Sequence, residues 1–440
     1  MKFGILFEHQ LPRPWGRDSE FQLLKEALEQ TELADSLGYD CAWATEHHFL
    51  EEYAHSSAPE VFLAACSQRT KQIRLGHAVA LTVPQYNHPA RIAERIATLD
   101  LVSGGRVEFG TGESASAAEL EGFNVDVATK RDAWLEAVEQ TANLMAMDPY
   151  PGFEGKYFSM PCRNVVPKPL QRPHPPMWVA CSNRNTIKLA AKLGLGALTF
   201  AFVDYEETEK WVKDYYRILR EECAPIAHTI NPNIAIVTAF SLHADQEEAL
   251  RRGLDGFRFF GFANGHHYVY GDHTPGRTDI WEAFEKARET FPEEAKTRGI
   301  GTPPQMREHI RRFSDIGVDQ VIFIHQGGRM KHEHVCASLE LFAREVMPEF
   351  KAESAERDRR KSEDLAPFFE AAMGRRKPMA PLSDAAIPSI KSLGRRVAEE
   401  SGKARPLAEE MKEASGNVLE ESGAADRSVE HMDKLQEKTA

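Results

Sequence analysis

The chain has 440 residues, 42% of them hydrophobic, enough to bury a large core in one big domain or two to three ordinary ones. Its formal net charge is −13, and an acidic surface repels phosphate backbones and anionic lipid, which argues against nucleic acid and membrane surfaces as partners. No apolar run reaches the ~18 uncharged residues of a transmembrane helix, and the opening MKFGILFEHQ lacks the long apolar region and cleavage site of a signal peptide, so the chain reads as cytosolic.

In chain order, Lys2–Phe7 (KFGILF) reads as a short strand. Phe21–Leu37 places Leu24, Ala27, Leu28, Leu33, Ala34 and Leu37 at helical spacing, and Gly38 stops that helix as a C′ glycine. Cys41–Thr45 is the next strand. Further strands are predicted at Ile73–Leu81, Arg106–Gly110, Met177–Ala180, Ala197–Phe202, Ile234–Leu242 and Val321–Ile324, and Arg91–Leu101 reads as one of the helices between them. Leu193-Gly194 and Ile316-Gly317 repeat the helix stop before two of these strands. Strands alternating with helices imply a parallel sheet. Eight βα units in ~350 residues predict a (β/α)8 TIM barrel with insertions. A doubly wound open sheet is the rival. It has fewer strands and prefers a glycine-rich fingerprint after its first strand. Here EHQLPRPW follows Phe7, with no glycine before Gly16, so the barrel is favoured.

Two stretches interrupt the pattern. Met147–Pro176, rich in proline and aromatics, reads as a hairpin plus an extended loop. Gly253–Thr297 carries Phe257, Phe259, Phe260, His266, His267 and His273 among its aromatics. It reads either as a lid over the barrel mouth or as a packed surface excursion. From about Lys351 the composition turns to dense charge of both signs, with no Trp or Tyr. The expected division is a barrel over 1–350 and a charged extension over 351–440, helical or disordered, with Leu365–Met373 amphipathic. The extension serves either as an oligomer arm or as a solvated tail. The six cysteines are scattered without a CxxC pair, which predicts neither a disulfide framework nor a cysteine zinc site.

Barrel chemistry sits at the C-terminal ends of the strands. After the second strand comes Thr45-Glu46-His47-His48-Phe49. Side chains alternate along a strand, so one histidine can face the barrel axis while the other packs outward. A histidine there exchanges a proton near neutral pH, with Glu46 to fix its tautomer, or else it is hydrogen-bonded for packing. No HExxH or comparable ligand set accompanies the pair, so no metal is expected. After the third strand, Asn87 is expected to cap the helix and Pro89 suits its first turn. After the fourth, Gly110 and Gly112 leave room for a ligand to approach. After the fifth, Ser182, Asn183, Arg184, Asn185 and Thr186 open a helix, as a phosphate cradle or as an ordinary Ser or Asn cap. Thr302 followed by Pro303 opens another helix.

The blocks MKFGILFE, LGYDCAWATEHHF and LGHAVALTVPQYNHPARIAERIATLDLVSGGRVEFGTG, followed in order by MWVACSNRNT and GTPPQMREHIRRFSDIGVDQVIF, resemble the bacterial luciferase-like monooxygenases, which are flavin-dependent (β/α)8-barrel enzymes. The resemblance covers roughly Met1–Phe350. It implies that His47 lies near the reactive part of the flavin and is catalytic. It implies a non-proline cis peptide at Ala78-Val79 beneath the isoalloxazine ring. It implies that the flavin phosphate is held by Ser182, Arg184 and Asn185 in the turn after the fifth strand and by Arg131 at the start of the fourth helix. One departure stands out: where luciferase has a phosphate-holding arginine, this chain has Glu113, which either faces substrate or pairs with Arg131.

The implied function is a two-component flavin monooxygenase. A separate NAD(P)H:flavin reductase supplies reduced FMN (FMNH2). O2 is the cosubstrate, and a C4a-(hydro)peroxyflavin passes one oxygen to a small organic substrate. The excursion then filters substrate, with His266 and His267 beside Glu113 as substrate-facing residues, and its aromatics suit an apolar substrate. A homodimer goes with the resemblance. Two alternatives remain open: hydride transfer with the deazaflavin F420 on the same fold, and a non-catalytic flavin-binding subunit.

Overall fold

The eight predicted strands close on themselves. In the computed structural model, which describes residues 1–200, 202–291, 298–400 and 402, we number the barrel strands β1 (Lys2–Phe7), β2 (Cys41–Ala44), β3 (Arg74–His77, resuming at Ala80–Leu81), β4 (Val107–Gly112), β5 (Met177–Cys181), β6 (Gly196–Thr199), β7 (Ile234–Ala239) and β8 (Gln320–Ile324). All eight run parallel. β1 lies between β2, with Gly4 opposite Cys41, and β8, with Lys2 opposite Gln320. The β2–β3, β3–β4, β4–β5, β5–β6, β6–β7 and β7–β8 pairings complete the ring. Met1–Pro381 form one compact unit, and among the described residues of the second, Leu393–Glu400 is helical.

The strands read as unbroken apolar runs because both faces are buried. Phe3, Ile5 and Phe7 of β1 pack outward against helices, while Leu6 turns inward to a separate core with Trp43, Trp178, Leu198, Val237 and Ile322. Two indoles fill much of the barrel interior, edge to face at 5.5 Å. Glycine stands opposite each. A Cβ on Gly76 would fall 2.2 Å from the Trp43 ring, and one on Gly196 would fall 2.4 Å from Trp178.

Helix ends follow the sequence signals in most places. Ser19–Leu37 stops at Gly38, whose φ of +84° is the left-handed cap that glycine adopts without a Cβ clash. Thr302 closes a capping box with Gln305 ahead of Pro303–Asp315. The cap predicted at Asn87 belongs instead to His88, whose Nδ1 accepts from the Ala90 amide. Asn87 is drawn away by a tertiary contact, its amide donating to Glu46 at 3.0 Å and to the Leu81 carbonyl at 2.9 Å.

Met147–Pro176 contains the expected antiparallel hairpin, Tyr150–Glu154 against Ser159–Arg163. The predicted strand Ile234–Leu242 divides. Ile234–Ala239 is β7, and Ser241–Leu242 leaves the barrel to pair with Ile300–Gly301. The excursion begins earlier than Gly253, as the helix Gln246–Gly265. It continues through a five-residue π turn, His266–Tyr270, and the helix Ile280–Ala287; residues 292–297 lie outside the described residues.

After the last barrel helix, His332–Glu345, comes a long charged helix, Ser354–Arg375, with Leu365 and Ala372 buried. It packs along Tyr205–Glu221. Its cations reach the bottom of β8. Lys361 Nζ donates to Asp319 at 2.7 Å and to Asn233 Oδ1 at 2.6 Å, and Arg357 donates to the Val318 carbonyl at 2.7 Å. Asp319 also accepts from the Ile234 amide at 2.8 Å and from the Tyr216 hydroxyl. All six cysteines are free. Among the described residues no helix is long and apolar enough to cross a membrane.

The indole–glycine fit makes a prediction. Gly76→Ala drives a methyl group into Trp43 and should destabilise the barrel by about 1–3 kcal/mol, the usual cost of overpacking. A second change, Trp43→Phe, should recover part of that loss in urea unfolding. Strictly additive effects would show that the two side chains do not compete for the space.

Candidate active site

The C-terminal strand ends converge on His47. Its side chain is only 18% exposed. Nδ1 lies 3.1 Å from Glu119 Oε1, and Nε2 lies 3.6 Å from Glu8 Oε2. Glu8 follows β1 directly and accepts from Thr45 Oγ1 at 2.8 Å and the Tyr53 hydroxyl at 3.2 Å. Glu119 lies on the short helix Ala117–Gly122 after β4 and is fully buried. It accepts from the His48 amide at 2.9 Å and from Ser114 Oγ. Ser114 holds a left-handed φ of +61°, a costly conformation for a non-glycine residue that is seen mostly where surrounding contacts enforce it. Here it aims the hydroxyl at Glu119.

Protonation follows from this arrangement. Burial opposes charge on His47, but Glu119, which it hydrogen-bonds, together with Glu8 and Glu46, outweighs burial and raises its pKa to about 9. Burial alone would raise Glu119 as well. His47, Ser114 and the His48 amide reverse that and hold it below the usual carboxylate range. For Glu8, burial wins against His47, Thr45 and Tyr53 and pushes the carboxyl up. Near neutral pH, His47 is therefore an imidazolium, a proton donor rather than a base.

The second histidine turns away. His48 Nε2 lies 3.2 Å from Glu46 Oε1, and its ring packs on Phe123 at 4.9 Å. Glu46 also receives the Leu81 amide at 2.8 Å. Glu46, expected to partner the strand-end histidine, thus holds His48, and the carboxylate that orients the His47 ring is Glu119. The sequence reading missed Glu119 because it sits on a short helix in a polar stretch rather than at a strand end.

The Ala78–Val79 bond, beside the Glu46 amide, is cis. Gly110 and Gly112 make room for this segment rather than for a ligand: a Cβ on Gly112 would meet Val79 Cγ2 at 2.3 Å, and one on Gly110 would meet the His77 carbonyl at 2.0 Å. Glu113 pairs with Arg131 at 2.6 Å and faces Lys130 at 3.4 Å. Arg131 is near enough to Cys181 for its charge to act on that thiol, which places the start of Lys130–Ala146 by the end of β5. The turn after β5 caps its helix through Asn183, which accepts from the amides of Asn185 and Thr186. Ser182 is exposed there. The guanidinium of Arg184 points sideways to Asp214 at 2.7 Å.

From the excursion, Tyr268 reaches the site, its hydroxyl 3.4 Å from His47 Nδ1. His266 and His267 gather instead with His273, and His267 Nε2 meets the Glu51 carbonyl at 3.0 Å. Burial lowers the pKa of His267 to about 4. Glu52 ties the loop after β2 to the excursion, accepting from the Ile280 amide at 2.6 Å and the Trp281 amide at 3.1 Å at a helix start, where a carboxylate is favoured. On the β6–β7 side lies a mostly apolar cavity of about 490 Å³ lined by Phe202, Val237, Phe257, Phe262 and Phe313. Phe260 stands between the two regions, 5.5 Å from Tyr53 and 6.2 Å from Phe202.

A closed parallel barrel with a charged histidine at the end of its second strand and a cis bond in its third meets its match in sequence comparison. Residues 1–320 match the family described as luciferase-like monooxygenase, and the chain belongs to that family of flavin-dependent monooxygenases. It is 28% identical to the oxygenase component of a flavin-dependent trigonelline monooxygenase of Acinetobacter baylyi (strain ATCC 33305 / BD413 / ADP1), over 81% of this chain and 98% of that one. The crystal structure of the monooxygenase RslO1 from Streptomyces bottropensis superposes with a TM-score of 0.65 at 26% identity, covering 80% of this chain and all of that one. An F420-dependent secondary alcohol dehydrogenase shares the fold, at a TM-score of 0.58 and 20% identity over 79% of this chain and 98% of that one.

The charge on His47 is testable. Its folded pKa of about 9 exceeds the ordinary 6.5, so its stabilising contribution is complete below about pH 6.5 and is lost as pH rises through about 9. The urea-midpoint advantage of the native chain over His47→Gln should shrink across that window. A pH-independent gap would show that His47 is not charged in the fold.

Proposed function

We propose that the chain is an oxygenase component that uses reduced FMN from a separate NAD(P)H:flavin reductase, with O2, to oxygenate a small apolar organic substrate. The observation that carries this reading is His47 at the barrel mouth, held between the buried carboxylates of Glu119 and Glu8 with the Tyr268 hydroxyl beside it. Membership of the family supports flavin, and the trigonelline relative, named as an oxygenase component, supports an external reductase.

The residues fit a flavin phosphate: Lys130 and Arg131 bring two positive charges against the one negative charge of Glu113, close to the end of β5. Arg131, Ser182, Asn185 and the start of Arg184–Lys192 would hold that phosphate, with Arg184 contributing from its place on Asp214. Ala78 and Val79 would lie beneath the ring system. Bound reduced flavin supplies the electrons that activate O2. The chain's own work is to hold a proton on His47 Nε2 or Nδ1, to keep Glu119 ionised beside it, and to exclude water with Tyr268 and Tyr53. The apolar cavity by Phe260 suits the substrate.

Oxygenation is checked with 18O2, reduced FMN regenerated by an added reductase, and a panel of terpene, aldehyde and N-heteroaromatic substrates. Label should enter one product, and His47→Ala should lower its rate by about 10²–10⁴-fold while reduced-FMN affinity changes less than about threefold. Tight binding of reduced F420 with hydride transfer and no label would overturn the reading. The phosphate contact is tested separately. Arg131→Gln should weaken FMN about tenfold, roughly 1.4 kcal/mol, without affecting riboflavin, and Glu113→Gln should tighten FMN. Equal losses for FMN and riboflavin would remove Arg131 from the phosphate site.

A further inference from the structure

Three histidines that oxygenation leaves unused meet where the excursion folds back on the loop after β2. The ring centroids of His266, His267 and His273 lie 5.2, 5.6 and 5.0 Å apart in pairs. One ligand atom from each lies within 4.8 Å of the other two. Buried imidazoles packed for structure normally satisfy their nitrogens. Here His266 Nε2 and both nitrogens of His273 are sealed from solvent and have no hydrogen-bond partner among the described residues.

His267 differs in an informative way. Its Nε2 faces the Glu51 carbonyl at 3.0 Å, so that nitrogen carries the proton and Nδ1 keeps a free lone pair. A ring N–H donated to a backbone carbonyl is the usual support for a metal-ligating histidine. Glu51 brings a carboxylate to the edge of the cluster: its Oε1 lies 3.8 Å from His273 Nε2 while accepting from the Gly276 amide at 2.7 Å, and its Oε2 pairs with Arg13 at 2.6 Å. A tetrahedral zinc with Zn–N bonds of about 2.1 Å holds its imidazole centroids roughly 5.2 Å apart. The three observed separations bracket that value.

We propose that His266, His267 and His273 form a binding site for a divalent transition cation of the zinc class, its fourth position open to water. Imidazole nitrogen suits zinc, copper and nickel and is a poor ligand for calcium or magnesium. The cation ties the π turn His266–Tyr270 to the segment at 273 and to the loop after β2. Tyr268, the next residue along, rests on His47. The site therefore fixes the turn that closes over the chemistry. It takes no part in the chemistry itself, and it stands or falls independently of the cofactor assignment.

The test uses the full-length chain without a histidine tag, stripped with a chelator and titrated with ZnCl2 by calorimetry, with metal counted after gel filtration. One equivalent per chain should remain bound. Co2+ in its place should give the visible absorption of a tetrahedral nitrogen site. His266→Ala and His273→Ala should each weaken Zn2+ binding by about 100-fold or more, with the circular dichroism of the metal-free protein unchanged. His243→Ala, elsewhere on the chain, should bind as the native protein does. Absence of stoichiometric binding by Zn2+, Ni2+ or Cu2+, or binding that survives both substitutions, would overturn the site.

Discussion

One imidazolium between two buried carboxylates governs the mouth of this barrel. Glu119 and Glu8 have little access to water, and two unpartnered carboxylates in so small a space would not both stay ionised. His47 resolves the conflict unequally. It hydrogen-bonds Glu119 and keeps it charged, while Glu8 stands farther off and is pushed toward its protonated form. The three groups come from the end of β1, the end of β2 and the short helix after β4, which the closed barrel gathers at one mouth. Ser114, Thr45 and Tyr53 then fill the remaining lone pairs.

Closure has its own demand. The interior of an eight-stranded parallel ring is filled by side chains from alternate strand positions. Here two tryptophans occupy much of it, and glycine at 76 and 196 is what gives them room. The same exchange recurs higher up, where Gly110 and Gly112 admit Val79 and its cis bond. Bulk on one strand is matched by absence on its neighbour.

The barrel was legible because doubly buried strands leave short continuous apolar runs, and here these alternate with helical patterns that end at glycines such as Gly38, Gly194 and Gly317. His47 was legible because a motif marked it at a strand end. What escaped was set by tertiary contact. Glu119 lies in the polar run ESASAAELEG, where nothing separates it from a solvated helix. Asn87 has good capping chemistry but is claimed by Glu46, a residue 41 positions away. Arg184 opens the helix after β5 as read, but its pairing with Asp214, 30 positions on, leaves no mark in the sequence. Tyr268 and the three excursion histidines are aromatics in a loop by sequence, and only the fold sorts one toward His47 and gathers the others together.

The charged helix beyond the last barrel helix carries a consequence for how this protein divides. By homology the barrel is complete near residue 320, and by strand count it is complete at β8. Electrostatically it is not. Asp319, at the foot of β8, is neutralised by Lys361, and the adjoining Val318 carbonyl is capped by Arg357. A barrel excised, fused or transplanted with its end at Glu345 would carry a nearly buried carboxylate stripped of its counterion, at the seam where the ring of strands closes. The charge that completes the foot of the barrel thus comes from some forty residues downstream, on the helix Ser354–Arg375.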